Sequence, residues 1–478
     1  MTLLNQPRSL LRISMCRLTA FTWVSALMVV LPSASRCDEL GDYLELINIT
    51  TASLDDFAAP PTVDEQSDTL LTILLRAPAF PLAKLHHWQL RGAAWEECFG
   101  SMESARGQFY QLRGRVGSVT RIQLDAATHQ RYLLENYYRV NAKLDGTPAA
   151  SATIYARSVP SDWFANTDTG EIDERFSAIG LLLRSVKSDD ASSSLVLAAD
   201  RVAWHPDDQE PAIPVPADWR ELGRLGVDMG QFDQLRDEQS ITARDRELFY
   251  QLLAAAKQYD PARDESVDRS RQLECLLTDP TGHRGERFSL SGAARRAIRV
   301  QVDEEDILAR YEIDHYYEIT MLMDPGPLIR VMKGDDDTEG IVFTNYPVTF
   351  CVLHLPVGLP TGDYINEPVR IDGWFLKLWS YKNEFMNRGD NRETDAPALQ
   401  VSPLLIGYRI QHEATGLQAT TSSVSGVTVG ALFVAALGLL AALFVWFNRD
   451  DRKLAIRKRA KRDESAETSL GMLTADDE

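Results

Sequence analysis

The chain has 478 residues, 44% hydrophobic and 25% charged, and a formal net charge of -19 at pH 7. This length allows two domains with separate cores. Such an acidic chain repels nucleic acid and anionic lipid at long range, so we do not expect a nucleic-acid partner.

The first 35 residues predict a secretory signal peptide. They contain three arginines and no acidic residue before the apolar run Phe21–Leu31, and small residues follow at 33–35. A basic start, a short apolar run and a small-residue cleavage site are the features of such a peptide. The run is too short for a membrane span, which needs about 20 apolar residues.

Residues 36–105 then predict a helical or irregular segment, with a helix at Thr69–Arg76. Residues 106–205 are rich in β-branched and aromatic residues with a period of two, which is typical of strands. The predicted strands of this block are Thr120–Leu124, Tyr132–Leu144, Ala152–Val159, Phe176–Val186 and Leu195–Trp204.

Residues 206–283 predict a linker and a longer helix, Arg246–Tyr259, whose apolar residues share one face and which Asp260-Pro261 ends. Residues 284–410 predict a second block of strands. These strands are Ala297–Val302, Tyr311–Met323, Val348–Leu355, Val369–Tyr381 and Leu399–Tyr408. The stretch Val357–Glu367 predicts a loop.

The two blocks repeat one pattern. Leu112–Asp125 (LRGRVGSVTRIQLD) has an echo in Leu290–Asp303 (LSGAARRAIRVQVD). Matching pairs stand on either side, in the same order: Arg106-Gly107 with Arg284-Gly285, Arg131-Tyr132 with Arg310-Tyr311, Tyr137-Tyr138 with Tyr316-Tyr317, and Gly180 with Gly373. The second copy has extra residues after its tyrosines, which an inserted surface loop would contain. We therefore predict a duplicated domain.

After a linker at 411–426, Val427–Phe447 is continuously apolar and long enough to cross a bilayer as a helix. Basic residues follow at once in the tail, 448–478, which predicts that this end stays in the cytoplasm. The chain is then a single-pass protein of the cytoplasmic membrane whose two domains lie outside the cytoplasm. The four cysteines outside the signal peptide (Cys37, Cys98, Cys275 and Cys351) would lie where disulfides can persist, and the sequence does not choose their pairing.

Five strands, with a glycine in the first and in the fourth, favour a small bent barrel. On these strands, and on the segment from VRIDGWFLKLWSY to APALQVSPLLIGYR, both blocks resemble the oligonucleotide/oligosaccharide-binding (OB) barrel. They resemble in particular the tandem barrels of uncharacterised bacterial single-pass membrane proteins. The family's usual helix between strands three and four has no room in the loop Val357–Glu367. The fold class is therefore mainly β with flanking helices: two repeated five-stranded OB-like barrels plus one C-terminal transmembrane helix.

The sequence contains no GxSxG, HExxH, P-loop or GxGxxG motif, and we predict no catalytic, metal or cofactor site. Outward aromatics on a barrel could bind a protein or a glycan. Six residues form this candidate aromatic surface: Tyr137, Tyr138, Tyr316, Tyr317, Trp374 and Trp379. More often such strands are covered by the neighbouring helix or by the other barrel.

The sequence thus predicts a membrane-anchored binding or scaffold protein. Two alternatives stay open. One is an enzyme or enzyme subunit acting on envelope polymers, which requires a concave pocket with converging carboxylates. The other is a structural spacer.

Overall fold

A computed structural model describes most of the chain between residues 39 and 413. The described residues are 39–58, 63–88, 105–146, 150–165, 171–187, 193–207, 212–261, 273–324, 329–331, 341–343, 345–382 and 399–413. The predicted signal peptide, the predicted membrane helix and the tail lie outside these ranges. Within them, no helix has both the length and the apolar character that a membrane span requires.

Helices precede the first sheet, and shorter helices interrupt it. In chain order the elements are α1 (Glu39–Leu46), α2 (Thr51–Leu54), α3 (Asp68–Arg76), α4 (Leu82–Trp88), β1 (Phe109–Gln123), α5 (Ala126–Tyr132), β2 (Asn136–Leu144), β3 (Ala150–Ser158), α6 (Asp162–Ala165), β4 (Glu171–Lys187), β5 (Ser193–Arg201) and β6 (Ala203–Trp204).

The second half repeats this plan. Its elements are α7 (Ala217–Arg224), α8 (Ala243–Gln258), α9 (Leu273–Thr278), β7 (Arg287–Gln301), α10 (Glu305–Tyr311), β8 (His315–Met323), β9 (Ile329–Val331), β10 (Ile341–Phe343), β11 (Tyr346–Val352), β12 (Glu367–Lys382) and β13 (Leu399–His412). The mainly β fold with flanking helices is confirmed.

The two sheets have the same strand order. In the first, β1 pairs with β2, β2 with β3, β3 with β5, β5 with β4, and β4 with β1. The short β6 also pairs with β4. In the second, β7, β8, β11, β13 and β12 pair in the corresponding order and form a closed barrel. In each sheet the pair formed by strands three and five is parallel and the other pairs are antiparallel. The hairpin of β9 and β10 is additional to this plan and lies in the segment where the second copy is longer.

The sequence echo corresponds to matching places in the two sheets. Leu112 lies in β1 and Leu290 in β7, and each faces the fourth strand of its own sheet. The register of the first strand shifts between Val116 and Ser118 in one copy and between Ala294 and Arg296 in the other, at the same position of the repeat. Residues near 112 and near 290 therefore occupy like places in like topologies.

The repeated Arg-Gly pair has a backbone role. Gly107 and Gly285 have positive φ angles of 81° and 74°, which glycine adopts without strain. This turn lets the Gly107 N–H donate to the Leu182 carbonyl at 2.9 Å, and the Gly285 N–H donate to the Phe375 carbonyl at 2.8 Å. The same hydrogen bond therefore fixes the entry to each sheet.

The repeated Arg-Tyr pair binds a helix in each copy. Helix α3 lies over β3 and β5, and α8 lies over β11 and β13. The Tyr132 hydroxyl donates to Asp68 of α3 at 2.7 Å, and the Tyr311 hydroxyl donates to Glu247 of α8 at 2.5 Å. The neighbouring arginines, Arg131 and Arg310, form ion pairs with the same two carboxylates. The repeated dipeptide thus joins the end of a short helix to the helix that covers the sheet.

Two predicted strands begin too early in the sequence. The segments predicted as strand from Tyr132 and from Tyr311 start with the last residues of helices α5 and α10, and strand follows only at Asn136 and His315. Asp125 caps α5 by accepting hydrogen bonds from two backbone N–H groups. Both helices end at a residue in the left-handed conformation, Leu133 and Glu312. The aromatic run that follows each helix is typical of a strand, so the sequence pattern predicted strand for the helical residues as well.

Helix α8 is the element that connects the two units. Its apolar residues Leu248, Phe249, Leu252 and Leu253 are buried in a core that also contains Trp204 of the first unit and Trp374 of the second. Near its first turn, Asp245 forms an ion pair of 2.9 Å with Lys377 of β12, and both side chains are fully buried. Separate cores lie under α3 and inside the second barrel.

Two of the cysteines lie within the described chain. Cys275 is free and half-buried, and Cys351 is free and buried in β11. Burial raises the pKa of the Cys351 thiol well above its ordinary value. Cys37 and Cys98 lie outside the described residues.

Candidate functional site

An open cleft of about 1280 Å³ separates the outer face of the first sheet from the helices of the second unit. Residues of β1 and β4 line one side, residues of α8 and α10 line the other, and α4 contributes at one end. Pockets for small molecules usually measure about 300–1000 Å³. The cleft therefore has room for a larger ligand or for a segment of a polymer.

Charged side chains dominate the lining of this cleft. Its six arginines are Arg113, Arg175, Arg201, Arg224, Arg244 and Arg310, and its five carboxylates are Asp145, Asp200, Asp207, Asp228 and Glu247. Four of the five carboxylates form ion pairs with arginines of the same cleft. The pocket that an enzyme would require is present, but most of its carboxylates are already neutralised by partners.

Two of the arginines remain available. Arg113 on β1 and Arg244 at the start of α8 are exposed, and neither forms an ion pair with any residue in the described part of the chain. Arg113 stands directly opposite Ser177 in the register of β1 and β4. Alternation along a strand places Arg113 and Ser177 on the outer face, because their neighbours Leu112 and Phe176 are buried in the core.

Ser177 and His205 form a hydrogen-bonded pair on this face. The Ser177 Oγ lies 2.8 Å from His205 Nε2, and His205 Nδ1 lies 2.9 Å from the Val227 carbonyl oxygen. A carbonyl can only accept, so Nδ1 carries the proton, and Nε2 of the neutral ring accepts from the Ser177 hydroxyl. The ring is thus held in a defined orientation by a backbone group.

The charge state of His205 depends on its surroundings. Burial lowers the pKa of the imidazole, and the charges of Arg113 and Arg201 lower it further. Asp228 and the Val227 carbonyl act in the opposite direction without reversing the shift. At neutral pH the ring is therefore neutral and accepts a hydrogen bond from Ser177.

A buried carboxylate fixes the segment that carries His205. Asp228 is 2% exposed and accepts hydrogen bonds from the backbone N–H groups of Trp204 and Gly230, each at 3.0 Å. It also pairs with Arg201 at 2.5 Å. These bonds hold Trp204, which precedes the histidine, and the segment next to Val227, whose carbonyl accepts from the imidazole, so Asp228 positions His205 in the cleft.

The opposite wall is held by the ion pair of Glu247 and Arg310. Two guanidinium nitrogens of Arg310 reach the two carboxylate oxygens of Glu247 at 2.6 and 2.8 Å. Burial raises the pKa of Glu247, but the hydrogen bonds and charge of Arg310 and the Tyr311 hydroxyl outweigh it, so that the pKa lies below the ordinary value. A bidentate pair of this kind is rigid, and it serves to shape the wall.

Asp200 differs from the other carboxylates of the cleft. Burial raises its pKa, and the positive charges of Arg201 and Arg157 only partly oppose this shift. Its side chain has no ion pair among the described residues. Negative charge in the cleft is correspondingly weaker than its composition suggests.

The structure separates the six residues of the predicted aromatic surface. Tyr137 and Trp374 are fully buried, so they present no ring face to a ligand, and for these two residues the prediction is wrong. Helix α3 covers Tyr137, whose hydroxyl donates to the Glu65 carbonyl. Tyr259 at the end of α8 packs against Trp374 with ring centroids 5.3 Å apart. Covering helices are the physical reason in both cases.

The other four residues are half-buried and lie in different surroundings. Tyr316 packs against Phe249 of α8, with centroids 5.2 Å apart, and Trp379 lies beside Tyr381. Tyr317 lies 5.5 Å from the ring of His315. These residues do not form one continuous surface with Tyr138.

Tyr138 belongs to a small exposed cluster on the first sheet. Its ring lies 5.4 Å from that of Phe164, which is 36% exposed, and the Arg121 guanidinium lies within 6 Å of both rings. Aromatic faces beside a cation are suited to contact with a polar partner that also has apolar faces. Phe164 was not identified from the sequence.

The cleft itself was missed by sequence reasoning. Its residues come from segments between positions 77 and 311, and only the arginines at alternate positions of LRGRVG gave a local signal. Within the described residues there is no cluster of three or more side chains suited to hold a metal ion.

Comparison with known proteins gives a likeness to solved structures. The matches include a small single-stranded DNA-binding protein from Streptomyces coelicolor (14% identity, 27% of this chain, 92% of that chain, TM-score 0.14). They also include a single-stranded DNA binding protein from Thermus aquaticus (7% identity, 64% and 94%, TM-score 0.14) and an aspartyl tRNA synthetase from Entamoeba histolytica (10% identity, 46% and 48%, TM-score 0.12). No protein-family model and no curated protein matches the chain. Likeness at this level carries no argument about what the chain binds.

Proposed function

We propose that this chain is a membrane-anchored, extracytoplasmic binding or scaffold protein built from two OB-like barrels, with a protein or a glycan as its partner. The observation that carries the binding function is the cleft of about 1280 Å³ with available arginines on its walls. The anchor and the location rest on the apolar segment Val427–Phe447, the basic tail and the predicted signal peptide.

The OB-like assignment rests on the strand order. Both sheets use five strands in the order one, two, three, five, four, closing on strand one, which fits a small Greek-key barrel. The shared register shift and the shared Arg-Gly and Arg-Tyr contacts support duplication of one domain. A barrel of this type has no fixed ligand, so the proposed binding function comes from the cleft and not from the fold.

Site-specific photo-crosslinking tests the binding function. A photoreactive residue replaces Gln111 in the cleft, and a matched one replaces the exposed Arg299 near the end of β7, which does not line the cleft. We expect an adduct with a discrete partner from Gln111 and none from Arg299 in cells that express the full chain. Absence of an adduct from the cleft, with normal expression of both variants, would contradict the proposal.

The membrane topology needs its own measurement. Val357 is fully exposed and provides a reporter site that the buried Cys351 does not. In a background without the native cysteines, Val357→Cys should react with a membrane-impermeant maleimide once any outer membrane is made leaky. Ser469→Cys in the tail should react only after the cytoplasmic membrane is opened. The reverse pattern would refute the orientation.

A second candidate function is an enzyme acting on envelope polymers, which the Ser177–His205 pair favours. A hydroxyl that donates to an oriented neutral imidazole is the arrangement that general-base activation of a serine requires. A fluorophosphonate probe separates the two functions. Labelling of wild type that disappears in Ser177→Ala supports the enzyme, and lack of labelling leaves the binding function as the better account.

A further inference from the structure

We propose that the cleft binds a phosphate-bearing ligand, whose oxyanion accepts from Arg113 and Ser177, while His205 sets the direction of the Ser177 hydroxyl. The inference rests on the proposed binding function and names the chemistry of its ligand. It starts from three side chains, contributed by β1, β4 and the segment after β6, that meet on one outer face of the first sheet.

The charge of the cleft contrasts with that of the chain. The chain has a formal net charge of -19, yet arginines outnumber carboxylates in the cleft lining. Four of its carboxylates are paired with arginines: Asp145, Asp207, Asp228 and Glu247. Arg113 has no counterion in the described part of the chain. The positively charged cleft attracts an anion, and the negatively charged remainder of the protein repels it, so anion binding is confined to the cleft.

The geometry of the donors selects a tetrahedral anion. Arg113 offers the planar fork of a guanidinium, which matches two oxygens of a phosphate. Ser177 is its direct cross-strand partner, and directly opposite residues have side chains about 5 Å apart, so both can reach one anion. His205 Nε2 lies 2.8 Å from the Ser177 Oγ, and His205 Nδ1 donates to the Val227 carbonyl. Arg113 and Ser177 lie on neighbouring strands and can reach different oxygens of one phosphate, which also carries more negative charge than a carboxylate.

The hydrogen bond between serine and histidine makes the site responsive to the anion. With neutral His205, the Ser177 proton points to Nε2 and is not available to a ligand. A proton on Nε2 reverses that bond, because Nε2 then donates to Oγ. The serine hydroxyl is then free to donate to the phosphate, and the imidazolium adds a positive charge. Binding of the anion and protonation of His205 therefore favour each other.

Arg244 extends the site beyond a single phosphate. It lies in the first turn of α8, on the wall opposite β1 and β4, and it is exposed. The open cleft gives a ligand with several phosphates access to both walls. The ligand is thus a phosphodiester chain or a phosphorylated headgroup, which share one recognition chemistry.

Calorimetric titration of the purified full-length chain with inorganic phosphate tests the site. Replacing a charged donor to a bound anion usually weakens binding by about 10-fold or more. We expect this loss in Arg113→Gln and a smaller one in Ser177→Ala. Arg299→Gln removes the same charge from an exposed position of β7 that does not line the cleft, and it should leave binding unchanged. Acetate at equal concentration should not compete.

Two further titrations identify the source of the phosphate. Vesicles of phosphatidylglycerol, compared with phosphatidylcholine, test a lipid headgroup, and polyglycerol phosphate tests a soluble phosphodiester chain. Loss of binding in Arg113→Gln with either ligand supports the site. Equal phosphate affinity in Arg113→Gln and wild type, or an equal loss in Arg299→Gln, would overturn it. If phosphate does not bind while the Gln111 crosslink still forms, the ligand class is refuted and the binding function stands.

Discussion

The buried pair of Lys377 and Asp245 is predicted to be a main determinant of stability. Lys377 of β12 and Asp245 of α8 are 0% and 3% exposed in their side chains, and their charged atoms lie 2.9 Å apart. Lys377→Met leaves the Asp245 carboxylate buried without its cation. Removal of one partner of such a pair destabilises a protein by about 3–5 kcal/mol.

The contacts of Asp245 place the expected destabilisation near the lower end of this range. Its carboxylate also accepts from the Thr242 N–H at 2.9 Å in a capping box, which compensates part of the charge. About 3 kcal/mol corresponds to a fall in Tm of roughly 6–12 °C for a unit of this size. Thermal unfolding of the full-length protein, followed by tryptophan fluorescence, measures it; Trp374 and Trp379 lie on the same strand as Lys377.

A second substitution and a control make this prediction specific. Asp245→Asn in the Lys377→Met background removes the unpaired charge and keeps a capping acceptor, so it should restore at least about 1 kcal/mol. Lys84→Met breaks the exposed pair with Glu39, side chains 44% and 55% exposed, and should leave the Tm almost unchanged because solvent screens such a pair. If Lys377→Met melted like Lys84→Met, the reasoning from burial would be wrong.

Three further predictions follow from close contacts and from the cleft. Gly114→Ala and Gly292→Ala should each destabilise their own sheet by about 1–3 kcal/mol or more in chemical unfolding, because an added Cβ would lie 1.9 and 2.5 Å from a cross-strand carbonyl oxygen. The pKa of His205 lies below its ordinary value of 6.5, and a bound anion raises it, so the affinity for sulfate should rise as the pH falls from about 7.5 to about 5.5. A flat pH profile in the wild type, or the same rise in His205→Gln, would contradict this. Tyr138→Ala should weaken any glycan binding by at least about 1 kcal/mol in calorimetry without lowering Tm, and unchanged affinity would exclude that surface.

The sequence was informative where a pattern is local. Period-two alternation located most strands, and the apolar face of Arg246–Tyr259 predicted α8 to within a few residues. The echo of Leu112–Asp125 in Leu290–Asp303 predicted matching strands because each copy folds by the same contacts. The repeated Arg-Tyr pair, recognised only as a similarity, proved to be the contact to the covering helix.

The sequence was less informative where tertiary contacts decide. Helices α5 and α10 are short and lie beside tyrosine-rich strands, so the sequence showed no clear helical period for them. Burial of Tyr137 and Trp374 depends on helices that are distant in sequence. The cleft assembles side chains from both units, and His205 gains its orientation from the backbone of Val227, which no sequence motif encodes.

Closure of both sheets by a parallel strand pair is the central claim, and disulfide trapping tests it most directly. Ile406→Cys places a thiol opposite the native Cys351, across β11 and β13, and Thr153→Cys with Val196→Cys does the same across β3 and β5. Neighbouring strands lie about 5 Å apart, which a disulfide can bridge. Mass spectrometry of unreduced peptides should find both bridges, and none with Leu405→Cys, whose side chain points to the other face. Free thiols in both designed pairs of the folded protein would contradict the account.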